Sequence, residues 1–536
     1  MEKNMKKTSI FKLICLILTV VMLVSVFAAC NGSTGNEQGT TTEKDTTTES
    51  DTTTEEDTTT EKDTTTESDT TTEEDTTTED DTTTEDDTTT EDDTTTEGDT
   101  TTEKDTTTES DTTTEEDTTT EEVTTKEYKP VIEGLDIDSS NLHGNMQYVF
   151  SGDTVYYESV MFLEKGTYKP LLFPIDEIVS VERYDGRRTY QEGRDYQIVN
   201  GMLFIPATST INEIIGMTLY GQGNGQLKET HNGTSINAYW GEGTTMTQWQ
   251  LRVTYKHSTT WEGFSQESYA ETYESLIQKL MRGENVTFIF YGDSITCGAT
   301  SSWYNGTPTK DWENPKLAFY QWSYSMLFTQ AIADLFGYKI EFVDCSGLNV
   351  GMIKAPPETY LGATYVEGGG TITYINPSVG GGTSANGVDN FDRYVGSFIQ
   401  QYGCDLFGVA FGMNDASVSP TKTANNIKTI YQKAIALDND FSAMVISTMV
   451  PNNEATNGWY GNQYKQEAEL VNVVDYLNAN GVKSGLARVT SVSQALLTRK
   501  NFRDYTGNNI NHPNDFMHRV YAQTCLQAFI GYENMR

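Results

Sequence analysis

The chain has 536 residues, room for two or three domains, and a formal net charge of −42. Much of that charge sits in one low-complexity tract, and a balance this acidic excludes nucleic-acid or anionic-lipid binding by simple charge attraction. Six cysteines build no disulfide framework, and none stands in a CxxC or Cys/His zinc spacing, so no metal site is expected. Cys15 and Cys30 lie near the N-terminus. Cys297, Cys345, Cys404 and Cys525 lie in the C-terminal half, where the spacing leaves any pairing open.

Residues 1–30 carry Lys3, Lys6, Lys7 and Lys12 ahead of an apolar run from Leu13 to Ala29, the pattern of a targeting segment. It ends Val-Phe-Ala-Ala-Cys, which resembles the lipobox of bacterial lipoproteins, with Phe27 in place of the usual Leu. The resemblance implies lipidation at Cys30 and anchoring to membrane lipid. Ordinary secretion and a retained membrane anchor are the alternatives, and all three export the rest of the chain to the cell surface or beyond.

Residues 31–127 form a linker. Within it, thirteen copies of Asp-Thr-Thr-Thr-Glu-x begin at Asp45 and recur every six residues to Asp117. A repeat without apolar residues buries no core, and its charges repel, so an extended disordered spacer is expected. At about 3.3 Å per residue its limit is roughly 250 Å. Such a spacer suits a domain held away from a membrane, and its threonines suit O-glycosylation.

Residues 128–262 turn rich in Tyr, Phe, Val, Gly and Thr. The runs 147–150, 154–163, 177–184, 196–198, 202–205 and 250–255 read as short strands separated by Ser151-Gly152-Asp153, Asp185-Gly186 and Asn200-Gly201. This spacing predicts an all-β sandwich. No two residues of the region form an evident catalytic pair, so it reads as a packing or accessory domain. Trp240, Trp249 and Trp261 are candidates either for a carbohydrate-binding face or for its core.

Residues 263–284 read as a connection with a helix over 266–282. From 285 to 536, strands at 286–291, 338–343, 371–375, 406–411 and 443–450 alternate with helices at 318–336, 386–401, 422–437, 464–480 and 516–530. Alternation at these lengths predicts βαβ units, a parallel sheet covered on both faces. Three strands end in chemistry-bearing turns: Gly292-Asp293-Ser294, the Gly-rich 376–384 segment, and Gly412-Met413-Asn414-Asp415. In open α/β sheets the ligand site lies at that edge. Of five histidines, only His512 and His518 fall in this region.

Together, Gly-Asp-Ser at 292–294, Asn-x-Ser-x-Gly-Gly-x-Thr-Ser from Asn376, Gly-x-Asn-Asp at 412–415 and His512-Pro513 resemble the SGNH (GDSL-type) hydrolase superfamily over residues 285–536. The resemblance implies Ser294 as nucleophile, His512 as base, and an oxyanion hole from the Ser294 N–H, Gly381 and Asn414. The run Asp344-Cys345-Ser346-Gly347 is a rival for the glycine block. The acid is less plain. The family has Asp-x-x-His-Pro, and this chain has Asn509 at the acid's place. Asp515, with Asp-x-x-His spacing to His518, is the alternative acid; a backbone carbonyl, or a Ser-His dyad alone, are others. A β domain followed by an SGNH domain resembles the family-two carbohydrate esterases. That implies a cofactor-independent serine esterase deacetylating a polysaccharide such as xylan. A lipase or thioesterase, and a surface carbohydrate-binding or adhesion protein with a vestigial site, are the rival readings.

Overall fold

The computed structural model describes residues 136–536, with Ile132 and Gly134, apart from 143, 222–226, 244, 303–320, 346–368 and 457. The targeting segment with Cys30 and the repeat linker lie outside the described residues.

The N-terminal part of the described chain is β-rich. β1 (Thr154–Met161) pairs antiparallel with a later strand, β8 (Gln250–Lys256), and β8 with β3 (Glu177–Arg183). β2 (Thr167–Lys169), β5 (Met202–Ile205) and β4 (Gln197–Val199) make a second antiparallel sheet in that order. β6 (Lys228–His231) and β7 (Thr234–Asn237) form a separate hairpin. Residues 147–150, expected to be extended, form turns instead. The Val149 N–H donates to the Gln523 side chain (3.1 Å) and Tyr148 stacks on Tyr532 (4.8 Å), so partners from the C-terminus replace a neighbouring strand.

The connecting helix is shorter than expected. α1 (Glu274–Met281) begins eight residues late. The Gln266 side chain accepts the Arg488 N–H (2.7 Å) and donates to the Leu486 carbonyl (3.0 Å), which ties it to residues 486–488, and residues 270–273 form turns ahead of the helix.

The C-terminal part holds the parallel sheet. Its strands are β9 (Val286–Gly292), β10 (Lys339–Phe342), β11 (Thr371–Ile375), β12 (Leu406–Ala410), β13 (Ser442–Ile446) and β14 (Ser484–Ala487). The order β10-β11-β9-β12-β13-β14 is parallel throughout. Leaving aside the edge strand β10, this is the doubly wound 2-1-3-4-5 order, whose switch point lies beside the first strand. Every residue of β9 is buried, as a two-face-covered strand requires.

Helices cover both faces: α2 (Ser294–Cys297), α3 (Tyr324–Phe336), α4 (Ser384–Phe391), α5 (Ser397–Tyr402), α6 (Pro420–Ile435), α7 (Gln463–Ala479), α8 (Val489–Leu497) and α9 (Asp515–Phe529). A π-helical turn at Asp392–Gly396 joins α4 to α5. The α/β expectation therefore holds, with β14 and α8 as additions. The four cysteines at 297, 345, 404 and 525 are buried and free.

The described residues fall in one compact unit. The β1-β8-β3 sheet packs on residues 500–519. Lys500, with no exposed side-chain surface, pairs with equally buried Glu158 and donates to the Ser159 carbonyl (2.8 Å). Asp504 accepts from Lys169 (2.8 Å) and from the Met161 N–H (2.7 Å). The Gln250 amide donates to the Arg503 and Thr506 carbonyls, at 2.8 Å each. These bonds fix the loop that follows α8, which carries His512.

Candidate active site

β9 delivers Ser294 to the C-terminal edge of the sheet. Gly292 is required there, because a Cβ would lie 2.4 Å from the Ala410 carbonyl of neighbouring β12 and 2.2 Å from the Thr296 hydroxyl. Asp293 then caps α2, accepting the Ile295 N–H at 2.9 Å. Ser294 keeps 8 % of its surface exposed.

The Ser294 Oγ stands 2.8 Å from His512 Nε2. On the far side of the ring, His512 Nδ1 lies 2.8 Å from Glu242 Oε2. An ionised carboxylate only accepts, so Nδ1 carries the proton and Nε2 is left free to accept from the serine. The line Glu242–His512–Ser294 thus has the hydrogen-bond order of a nucleophile, a base and an orienting acid.

Glu242 comes from the β-rich region, which the sequence marked as a packing or accessory domain without a catalytic pair of its own, and its partner His512 lies in the other region. The hairpin β6–β7 turns at Asn232-Gly233, both at positive φ (50° and 75°), as a type I′ turn demands. It lies along the α/β part: the Thr456 N–H donates to the Lys228 carbonyl (2.7 Å) and the Thr230 N–H to the Glu454 carbonyl (3.2 Å). Past β7, the Gly241 N–H reaches the Asn508 carbonyl (3.4 Å), and Glu242 follows.

Asn508 couples acid and base. Its amide donates to Glu242 Oε1 at 2.9 Å, while its carbonyl oxygen accepts the N–H groups of Ile510, Asn511 and His512 at 2.9–3.0 Å. One side chain therefore fixes the His512 loop and one oxygen of the carboxylate together.

Electrostatics follow the contacts. Burial would lower the His512 pKa, but the Glu242 charge and hydrogen bond, with Asp293 behind, lift it above the ordinary value. Burial also works to raise the Glu242 carboxyl, and the His512 charge and hydrogen bond, with the Asn508 amide, outweigh it and hold the carboxyl low. Asp293, with few solvating partners, is pushed by burial up to about 7.

Neither acid expected from sequence lies on His512. Asn509 turns its amide to Glu229 (3.2 Å) and to the Tyr239 carbonyl (2.9 Å). Asp515 accepts the Ser302 N–H (2.8 Å) at the start of α9, and burial pushes its carboxyl up to about 6. His518 is fully buried. Its Nδ1 accepts the Tyr324 N–H (3.3 Å), leaving Nε2 to donate to the Ala299 carbonyl (3.2 Å). Burial lowers its pKa to about 3, so it is a neutral core histidine.

The glycine-rich turn sits beside the nucleophile strand. The Val379 N–H donates to the Gly292 carbonyl (3.1 Å), and the Ser378 hydroxyl accepts the Gly292 N–H (2.9 Å). Gly381 is exposed at φ +72°. The Asn414 amide donates to the Gly382 carbonyl (3.1 Å) and stands 3.5 Å from Asp293 Oδ2. Asp415 secures the same turn by accepting the Ser384 hydroxyl (2.8 Å) and N–H (3.0 Å). The rival Asp344-Cys345 follows β10, separated from β9 by β11. Ser346 and Gly347 lie outside the described residues.

Thr300 closes the loop from the other side. It holds φ +61°, a strained position for a β-branched residue, and donates to the Pro513 carbonyl at 2.7 Å. The three tryptophans of the β-rich region are half-buried. Trp261 packs between Phe150 and Phe173, and Trp249 on Met161, Ile215, Leu219 and Met246. Trp240 packs with Trp459 on Leu227, Ala238 and Ile510, beside the Glu242 and His512 loops.

No family model and no curated protein matches the chain. Solved structures do, at low similarity. A two-domain esterase active on acetylated mannans is 17 % identical with a TM-score of 0.32, and the match covers 49 % of this chain and 53 % of that one, about half its length. A mutant of an acetyl-xylooligosaccharide esterase from Geobacillus Stearmophilus is 16 % identical, TM-score 0.30, covering 47 % and 98 %. A lipase/acylhydrolase from Enterococcus faecalis is 13 % identical, TM-score 0.26, covering 45 % and 94 %. These neighbours are ester hydrolases by name. The chemistry open to this chain is set by the geometry of its own site.

Proposed function

We propose that the chain is a serine ester hydrolase working through Ser294, His512 and Glu242. The single observation behind this reading is the continuous hydrogen-bonded line from Glu242 through the imidazole to the Ser294 hydroxyl, at 2.8 Å on each side. His512 Nε2 takes the serine proton as Oγ attacks an ester carbonyl, and Glu242 stabilises the imidazolium. The Ser294 N–H, Gly381 N–H and Asn414 amide receive the oxyanion. His512 returns the proton to the leaving alcohol, then activates the water that hydrolyses the acyl-enzyme. No step calls for a metal or organic cofactor.

The substrate we favour is an acetylated polysaccharide such as xylan. Support comes from the sequence blocks at 292–294, 376–384, 412–415 and 512–513, whose resemblance extends to the family-two carbohydrate esterases. We also read the chain as exported and tethered to membrane lipid through Cys30, with the repeat tract as spacer.

Acetate release by the wild type and by Ser294→Ala, on p-nitrophenyl acetate and on acetylated xylan, tests both levels. Release from both substrates, lost in the variant, is the expected outcome. Release from the small ester alone removes xylan as substrate, and no release from either removes the esterase reading.

A further inference from the structure

Behind His512 lies a buried ionic cluster that the hydrolytic scheme leaves unused. Glu229, on β6, is fully buried. One of its oxygens accepts from the amides of Asn452 (2.6 Å) and Asn509 (3.2 Å). The other holds the Arg503 guanidinium, which also reaches Glu454 at 3.0 Å. The second Asn509 N–H goes to the Tyr239 carbonyl (2.9 Å), three residues before Glu242. The Asn452 amide closes the ring on the Asn509 carbonyl at 2.9 Å.

We propose that Asn509 is a positioning residue. Backed by Glu229 and Arg503, it docks the segment leading to Glu242 onto the His512 loop, so that a carboxylate carried by the β-rich region takes the place of an acid at 509. The proposal rests on the hydrolase reading above.

The chemistry of the position explains why it is Asn. A primary amide donates two hydrogen bonds, and both go to the strand and loop that bring Glu242. A carboxylate at 509 would donate none and would face the Glu229 carboxylate where the amide now bonds it. Two buried like charges at that separation cannot both stay ionised. An acid at 509 would therefore either repel Glu229 or take up a proton and donate one bond where the amide donates two, which weakens the docking of Glu242. The backbone does not choose between Asn and Asp. At φ +66°, Asn, Asp and Gly are all tolerated, and β-branched residues are not.

That tolerance supplies clean variants, Asn509→Asp and Asn509→Gly. Each is measured in the full chain beside wild type, Glu242→Gln and the double variant Glu242→Gln/Asn509→Asp. The readouts are the NMR titration midpoint of His512, kcat and KM against pH on p-nitrophenyl acetate, and the melting temperature. The other charged groups facing the imidazole, Asp293 and the neighbouring His518, are unchanged throughout. Both single variants at 509 should lower kcat by about 10²-fold, the cost of a misplaced catalytic group, with KM little changed. Both should also move the His512 midpoint down toward that of Glu242→Gln, and the double variant should be no more active than Glu242→Gln.

Three results would overturn the proposal. One is wild-type turnover and midpoint in Asn509→Asp. Another is recovery of activity in the double variant. The third is a fall in melting temperature with the His512 midpoint unmoved, which reduces Asn509 to packing. The midpoint separates the two levels. If Glu242→Gln and Asn509→Gly both lower it in a chain that cleaves no ester, the docking stands and the reaction assignment falls.

Discussion

The parallel sheet and its joint with the β-rich region are held together in different ways. The parallel sheet buries apolar strands and sends its polar residues to one edge, where Ser294 and Asn414 leave β9 and β12. The joint with the β-rich region is held by buried charges: Glu158 and Glu229 have no exposed surface and pair with Lys500 and Arg503, and buried Asp504 pairs in the other direction with Lys169. Paired buried charges are costly to form and costly to break, but they fix one register. Ser294 is thus placed by the packed sheet, and His512 and Glu242 by the ion pairs and amides of the joint. Precision at Glu242 depends on a surface hairpin being locked to a loop 270 residues away in sequence.

The sharpest way to break this comparison is Glu242→Gln. If the β-rich region truly completes the site, kcat falls by about 10² to 10⁴, the larger value being that of a fully buried acid in the Ser-His-Asp template. Glu242 is half exposed, with 51 % of its side-chain surface open, so water substitutes in part. The pH profile gives the sign. His512 must be neutral to act as base, and Glu242 raises its pKa, so the acidic limb of kcat/KM should move to lower pH in the variant. An ordinary surface ion pair is worth about 0–1 kcal/mol. A loss below fivefold with an unmoved limb would leave Glu242 as no more than that.

Next comes the joint between the regions. Lys500→Met strands the Glu158 carboxylate, which keeps its bonds from the Leu172 N–H (2.9 Å) and the Tyr255 hydroxyl (2.7 Å) but loses its cation. Leaving one buried charge unpaired costs about 3–5 kcal/mol. Denaturant titration should show that loss within a single transition for both regions. Two separate transitions would mean that the β-rich part folds on its own and only leans on the site.

At Asp293 the expected effect is spread over pH and is smaller at any one step. Its carboxyl is raised by burial to about 7, above the ordinary value of 3.8, so the folded chain holds a proton that the unfolded chain releases between those limits. Stability should therefore fall as pH rises through that window, at up to about 1.4 kcal/mol per pH unit. Asp293→Asn should flatten the slope, measured by chemical denaturation from pH 4 to 8. An unchanged slope would place the titrating group elsewhere.

The same contrast decides what could be read in advance. Apolar runs ending in glycine marked β9 and β12, because two-face burial leaves a pattern in the residues themselves. β14 was missed because Ser484-Gly485-Leu486-Ala487 holds no β-branched or aromatic residue. Glu242 left no comparable trace, sitting between Gly241 and Gly243 in a polar stretch. Two signals did point to it. Asn232-Gly233 marks a hairpin by its turn chemistry. Asn509, standing where the family pattern has an acid, marks a site whose acid must come from somewhere else. The ion pairs that connect those signals are long-range, and no periodicity encodes them.

The smallest effect expected is at Asp515, the other carboxylate near the site in sequence. It accepts the Ser302 N–H at 2.8 Å, and its own backbone carbonyl takes the Gln321 amide at 2.6 Å, so its contacts look toward the start of α9 and away from the imidazole. Asn in its place keeps an acceptor for Ser302 and removes a carboxyl that burial has already raised to about 6. Turnover in Asp515→Asn should stay within about twofold of wild type at pH 8, a scale set by the tolerance of sites away from the reacting groups. The His512 midpoint should not move. A tenfold loss with a shifted midpoint would make Asp515 a second acid acting on His512, and the β-rich region would then share, rather than supply, the charge that the imidazolium needs.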